Sequence, residues 1–435
     1  MDTIFALSSG KLPAGVAVIR VSGKMAKQIV KTFLGKIPAP RVLTFGKLFS
    51  KDHQFLDSAL TVFFPGPTSF TGEDCVEFHL HGGKAVVEKF LDELEQFSGC
   101  RLAEAGEFSR RAFLLGKLDL TEAEGLADLI EAETESQRRL AVMGASGKLA
   151  DTYRRWRKEL VNARAMIEAE LDFADEEDVA GSVTDVVWEK LVELSSSISE
   201  FILKSKRFST MRDGIKVVIA GAPNAGKSSI INRLSGRSIA IVTAQAGTTR
   251  DAIETRLVLG GFPIVLTDTA GLRETKDSIE KIGIDIAFDR VKSADLVLLV
   301  DDMVCPQPVA LPKTEAEIWR VGNKADLAKG AKNKWPIEIS SKTGQGFDEF
   351  IKKLEDFVGG FSSEIGEVVT ARRRQLKLLE IAAGEIDNAL NCGDKDLSLT
   401  AEHLRLASDA LGRITGDIDV EDILDVIFSE FCIGK

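Results

Sequence analysis

Apolar positions recur with two different periods along this chain, and the changes of period divide it. Over residues 1–116 the apolar runs are short and bounded by Gly, Pro and Ser. Residues 16–21 and 58–64 read as strands, and residues 74–80 as a strand leading into Gly82-Gly83. A helix is expected over 84–97, so this segment is α+β. From about Leu118 the spacing turns helical: Leu120, Ala123, Ala127 and Ile130, then Trp156, Leu160, Ala163, Ile167 and Leu171, then Val187, Leu191, Leu194, Ile198 and Phe201. Near Gly214 the texture changes again. Short β-rich runs at 215–220, 257–259, 264–267 and 296–300 alternate with helical stretches, the pattern of a doubly wound α/β domain with a mostly parallel sheet. Residues 317–322, after a Pro-rich stretch, make a weak strand in that series. The helical period returns at Leu376, Leu379, Ala383, Ile386 and Leu390. The expected layout is multidomain: an α+β domain over 1–116, an all-α helical domain made of 117–210 and 371–435, and an α/β domain over 211–370 inserted into it.

Composition narrows the class. A length of 435 residues fits two to four domains. Apolar runs such as 296–300 are far shorter than the ~20 residues of a membrane helix. The start, Met1-Asp2-Thr3-Ile4-Phe5, lacks the basic and apolar regions of a signal peptide. The five Cys are odd in number and scattered, with no Cys-x-x-Cys spacing. A reducing cytoplasm is therefore the expected location, with no disulfide framework, no Cys-rich zinc site and no membrane partner. The formal net charge is −11, which taken whole argues against a simple nucleic-acid binder. Divided, it is +2 over 1–116, −7 over 117–210, −1 over 211–370 and −5 over 371–435. The two helical segments hold the acidity, so RNA contact by the rest of the chain stays open, with modest, salt-sensitive affinity.

The strongest chemical signal is Gly221-Ala222-Pro223-Asn224-Ala225-Gly226-Lys227-Ser228, which follows an apolar strand and opens a helical stretch through Ser229. Glycines at both ends let backbone N–H groups curl inward around phosphate. Lys227 would neutralise the β- and γ-phosphates, and the Ser228 hydroxyl would ligate Mg²⁺. A plain Gly-rich turn is the alternative, and three further elements oppose it. Asp268-Thr269-Ala270-Gly271 follows the run 264–267, placing a carboxylate for the Mg²⁺ shell and an N–H for the γ-phosphate. Asn323-Lys324-Ala325-Asp326 and then Ser340-Ser341-Lys342 come later in order. Guanine offers two adjacent donors, N1–H and the 2-amino group, which both oxygens of Asp326 can accept; adenine lacks that pair. Lys324 can lie along the base, and a backbone N–H near Ser341 can meet O6. Leu272 stands where Ras-like switches carry the Gln that orients water. Ala246-Gly247-Thr248-Thr249-Arg250-Asp251 supplies two hydroxyls for Mg²⁺ and γ-phosphate sensing.

Further motifs are Phe70-Thr71-Gly72-Glu73-Asp74, His81-Gly82-Gly83, Gly106-Glu107-Phe108-Ser109, Lys117-Leu118-Asp119-Leu120 and the final Cys432-Ile433-Gly434-Lys435. With these and the GTPase motifs, the chain resembles the MnmE (TrmE) family of tRNA-modification GTPases across its full length. The phosphate loop is shared with Era and EngA types; the N-terminal motifs and the C-terminal tetrapeptide are more specific. The resemblance implies an N-terminal folate-binding domain of the glycine-cleavage T-protein type that also makes a homodimer. It implies an FAD-containing partner of the MnmG type, the FAD being the partner's own. With it, an aminomethyl or carboxymethylaminomethyl group is added at C5 of the tRNA wobble uridine. A tetrahydrofolate, in the 5,10-methylene or 5-formyl form, supplies the one-carbon unit. Folate contacts map onto Arg20, Glu77, Lys117 and Lys435, and a catalytic Cys onto Cys432. The resemblance also implies activation by K⁺ when two GTPase domains meet. Asn224, Thr243, Gln245 and Thr248 would surround K⁺, Glu280 would position water, and Thr249 would cap Mg²⁺. The competing expectation is a GTP-switched RNA-binding or ribosome-assembly factor of the Era/EngA kind, without folate. Glu77, His79 and His81 alternate on one face but lack a fourth ligand for a metal site.

Overall fold

In a computed structural model, which describes residues 2–172, 183–237, 254–268, 288–328, 334–360, 371–418, 421–429, 431 and 434, the short runs of the first segment form one six-stranded sheet. Its strands are β1 (Thr3–Leu7), β2 (Ala14–Ser22), β3 (Thr44–Phe49), β4 (Phe55–Phe64), β5 (Cys75–Gly82) and β6 (Cys100–Leu102), in the order β3-β4-β5-β2-β1-β6. All neighbours are antiparallel except β1 and β6. Helices α1 (Ala26–Leu34) and α2 (Lys84–Glu95) pack on the sheet through Ile29, Phe33, Phe90 and Leu94 against Ile19, Val21 and Phe78. The Phe33 ring lies 4.9 Å from Phe90 and 5.9 Å from Phe78. Each such buried ring contributes about 1.5–3 kcal/mol. The expected strands are present with longer ends, and α2 stops two residues short. β1, the most buried strand, is too short to show a period.

The chain divides into two compact units. The first comprises Met1–Ala127, Gly144–Ser195 and Ile381–Lys435, and joins the sheet to α3 (Glu107–Leu114) and much of the helical segments. In the helical part, α4 (Leu120–Glu131), α5 (Glu135–Gly144), α6 (Lys148–Asp172) and α7 (Val183–Asp213) come first. Helix α6 buries Tyr153, Trp156, Leu160, Ala163 and Ile167. Leu171 and Ile130, expected on apolar faces, are 38% and 42% exposed. Each is the last member of its stripe, where the helix runs past what it packs on.

The second unit, Asp128–Met143 with Ser196–Glu380, holds the other six-stranded sheet. Its elements are β7 (Ile215–Gly221), α8 (Lys227–Arg237), β8 (Glu254–Leu259), β9 (Phe262–Asp268), β10 (Leu296–Asp302), β11 (Glu317–Asn323), β12 (Ile337–Glu338) and α9 (Phe347–Gly360). The order is β12-β11-β10-β7-β9-β8, parallel apart from the β8–β9 hairpin. The weak 317–322 run becomes β11, paired with β10 along all seven residues. Its pattern is masked because Glu317 and Arg320 interrupt it, and Arg320 is paired with Asp301 at 2.8 Å. Segment 128–143 docks here as well. The Ser136 hydroxyl donates to the Gly261 carbonyl at 2.9 Å, and the Gln137 amide to that of Arg212 at 3.0 Å.

Among the described residues three α-helices follow: α10 (Arg373–Cys392), α11 (Leu397–Thr415) and α12 (Glu421–Ser429). In the first unit α11 packs along α6. Leu424, Ile427 and Phe428 of α12 close over Leu120, Ala123 and Ala127. Among the described residues no helix is long and apolar enough to cross a membrane.

Candidate functional site

Parallel strands present their C-terminal ends along one edge, and β7, β9, β10 and β11 end there on Gly221, Asp268, Asp302 and Asn323. The turn after β7 carries Asn224 at φ +63° and Gly226 at φ +94° before α8 begins at Lys227. Gly226 has no alternative: a Cβ there would lie 2.2 Å from the Asn323 side-chain nitrogen. The Lys227 ammonium is buried and donates to the carbonyls of Gly221 at 2.9 Å and Ala222 at 3.2 Å. Burial lowers its pKa, against the opposing pull of Asp268. The Ser228 hydroxyl donates to Asp268 at 3.1 Å. The other Asp268 oxygen, Oδ1, is buried with no hydrogen-bond partner among the described residues.

At the other end of the cleft, Asn323 is fully buried and joins two loops. Its amide donates to the Ala225 carbonyl at 2.8 Å, and its oxygen accepts the Ser341 N–H at 2.9 Å. Asn323 therefore ties the phosphate turn to the Ser340-Ser341-Lys342 turn. Lys324, at φ +68°, pairs with Asp302 at 2.6 Å. Burial opposes ionisation of Asp302, but the Lys324 bond holds its pKa below the usual range. The Ser340 hydroxyl donates to Asp326 Oδ1 at 2.6 Å and accepts the Thr343 N–H. One cavity of about 660 Å³ collects these groups: Asn224, Gly226, Lys227, Ser228 and Ser229 at one end, Asn323, Lys324, Asp326 and Ser340 to Lys342 at the other. Ala225 is buried behind them.

In the first unit, the β2–β5 register sets Arg20 opposite Glu77. The guanidinium donates to Glu77 at 3.0 Å and lies over Phe70 at 5.2 Å and Phe108 at 5.6 Å. Lys117 is exposed, with its stem beside Gly72 of the same loop as Phe70. That loop is held from behind by buried Arg111, which bonds Glu73, Glu107 and Asp2. His81 pairs with Asp57 at 2.8 Å, and His79 lies 3.6 Å from Glu77. The turn at Gly434 is pinned by the Ser8 hydroxyl on its carbonyl at 2.8 Å. Thr243, Gln245, Thr248, Thr249, Thr269, Ala270, Gly271, Glu280, Cys432 and Lys435 lie outside the described residues.

Several partners were not legible in the sequence. No motif marks Asp302 as the seat of Lys324, Arg111 behind the Phe70 loop, or Arg233 beneath Ser341. Only adjacency in space marks them.

These features define a class: a phosphate-loop nucleotide-binding protein of the guanine type, its α/β domain set within helical chain. Residues 3–117 match the family model described as the GTP-binding protein TrmE N-terminus, and residues 120–432 that of the MnmE helical domain. A tRNA modification GTPase MnmE of Bartonella bacilliformis is 64% identical over 435 residues, 100% of both chains. That of Brucella anthropi is 56% identical over 434 residues, covering 100% of this chain and 98% of the relative. Among solved structures, an Aquifex aeolicus Era variant bound to GDP and AlF4⁻ matches 39% of this chain and 66% of its own at 24% identity, with a TM-score of 0.28. The chain belongs to the MnmE (TrmE) family of tRNA-modification GTPases.

Proposed function

We propose that this chain is a GTPase that acts in tRNA modification, hydrolysing GTP in the cleft between the phosphate turn and Asp326. The observation that carries this is the convergence of Lys227, Ser228, Asp326 and the Ser340–Lys342 turn on one cavity, with Asp268 bonded to Ser228 beside it. Its size suits a nucleotide, since ligand cavities run from about 300 to 1,000 Å³. The ammonium of Lys227, now resting on two carbonyls, would turn to the phosphates, whose charge would compensate its burial. The oxygen donors of Ser228 and Asp268 suit a hard cation, and Asp268 Oδ1 is not committed to another hydrogen bond among the described residues. Bound Mg²⁺ would neutralise charge building on the phosphates.

Leu272 cannot orient the attacking water, so another group must. We assign that role to Glu280, with K⁺ held by Asn224 and by the chain around Thr243, Gln245 and Thr248 when two GTPase domains meet. Thr249 would cap Mg²⁺. Thr269, Ala270 and Gly271 would line the γ-phosphate. In the N-terminal domain, Arg20, Glu77, Lys117 and Lys435 would hold a tetrahydrofolate, with Phe70 and Phe108 as an apolar surround. The folate supplies a one-carbon unit. Cys432 would serve the same chemistry, in a homodimer that works with an FAD-containing MnmG-type partner on C5 of the wobble uridine.

Two measurements test this. Cells lacking the protein should lose the C5 modification of wobble uridine, regained with the wild-type chain but not with Cys432→Ser. GTP turnover should rise when Na⁺ is replaced by K⁺; indifference would refute the cation mechanism.

A further inference from the structure

Arg233 lies on α8, the helix that begins with Lys227, and it reaches the opposite end of the cleft. Its Nη1 donates to the carbonyls of Ser341 at 2.8 Å and Lys342 at 3.1 Å. Its guanidinium lies over the Phe347 ring at 5.5 Å. Gly344, at φ +90°, leaves it space: a Cβ at 344 would lie 2.3 Å from Arg233 Nη2. Six residues separate Lys227 from Arg233, which is about 9 Å of helix. A single rigid element thus grips both the phosphate turn and the turn across the cleft.

The peptide joining Ser341 to Lys342 is trans. In a trans peptide the C=O and N–H point in opposite directions. Holding the Ser341 carbonyl on Arg233 therefore aims the Lys342 N–H away from Arg233, and Ser341 and Lys342 both line the nucleotide cavity. The Ser341 N–H is already taken by Asn323. The neighbouring N–H groups of Ser340, Thr343 and Gly344 are taken within the turn. Among the described residues only the Lys342 N–H of this turn has no partner. A charged donor on the carbonyl side also polarises the amide and strengthens that N–H.

We propose that Arg233 is a positioning residue for guanine recognition: it orients and polarises the Ser341–Lys342 peptide so that the Lys342 N–H meets the O6 acceptor of the base. Adenine carries an amino donor at the equivalent position, so the same N–H discriminates against it. This rests on the guanine-nucleotide reading above.

The test measures displacement of a fluorescent GDP from the full-length protein by GDP and by ADP. Arg233→Ala should weaken GDP about tenfold, the worth of one base-edge hydrogen bond, and leave ADP within about twofold. The KM for GTP should rise with kcat little changed, because Arg233 touches no group at the phosphates. Arg233→Lys should recover part of the loss. Gly344→Ala, which displaces Arg233 without removing it, should reproduce the pattern. If the Ala variants at 233 and 344 keep wild-type GDP affinity, or lose GDP and ADP in parallel, the proposal is wrong. A wild-type protein with no preference for GDP over ADP would instead overturn the guanine reading itself.

Discussion

Replacing Asn323 by alanine removes the one side chain, among the described residues, that bonds both nucleotide-facing turns. The residue is fully buried and makes bonds of 2.8 and 2.9 Å to Ala225 and Ser341. Each bond is worth about 1 kcal/mol net, and a buried group left unpaired costs about 1–3 kcal/mol. Asn323→Ala strands the buried Ala225 carbonyl and loses the half-buried bond from the Ser341 N–H, so the cost is about 2–4 kcal/mol. The burden falls on the arrangement of the turns, because the segments leading into them are otherwise held by strands β7 and β12. A competent arrangement destabilised by even 2 kcal/mol lowers apparent nucleotide affinity about thirtyfold. Asn323→Asp should be as bad or worse, since it sets a carboxylate oxygen against the Ala225 carbonyl. Gly226→Ala should mimic it by driving a Cβ into the same amide. Equilibrium titration with fluorescent GDP, with a melting curve beside it, checks this. GDP binding within threefold of wild type for Asn323→Ala would show that the bridge does not preorganise the site.

Three further outcomes follow from the same geometry. Asp326→Asn should lose about 10- to 100-fold in GTP affinity and gain xanthosine triphosphate, whose C2 carbonyl an amide can donate to; the Asn oxygen keeps the Ser340 bond, so a binding competition reads base choice alone. Arg20→Ala should abolish reduced-folate binding in calorimetry while GTP hydrolysis and melting temperature barely move, because its pair with Glu77 is partly solvated and worth under about 1 kcal/mol. Burial opposes ionisation of Asp2 and Glu107, but bonds from Arg101 and Arg111 outweigh it and hold both carboxyls below their usual pKa. Their stabilisation is thus complete above the unfolded value near pH 4 and is lost as pH falls through the lowered folded values, so Glu107→Gln should flatten the acid limb of melting temperature against pH.

Much of this protein is legible from its residues in order. The phosphate turn is contiguous, its glycines demand particular backbone angles, and the strand before it and helix after it show their own periods. The change from alternation to helical spacing and back locates the α/β stretch. Asp268 and Asp326 carry their roles in short motifs whose order is itself informative. The strands that stand out most plainly, such as β7 and β10, are those buried on both faces, which read as continuous apolar runs. What the sequence left open depends on which strands lie side by side. β11 hid behind Glu317 and Arg320, and only its place next to β10, with Asp301 there to receive Arg320, makes it a full strand. Asn323 reads as a nucleotide ligand and acts as a bridge between turns 98 and 18 residues away. Arg233 belongs to no motif and bonds a turn more than a hundred residues distant. Local chemistry is set by neighbours in the chain, which a sequence states outright. Pairings across the cleft are set by burial of two sheet faces and the strand order that burial selects, so the tertiary structure alone decided them.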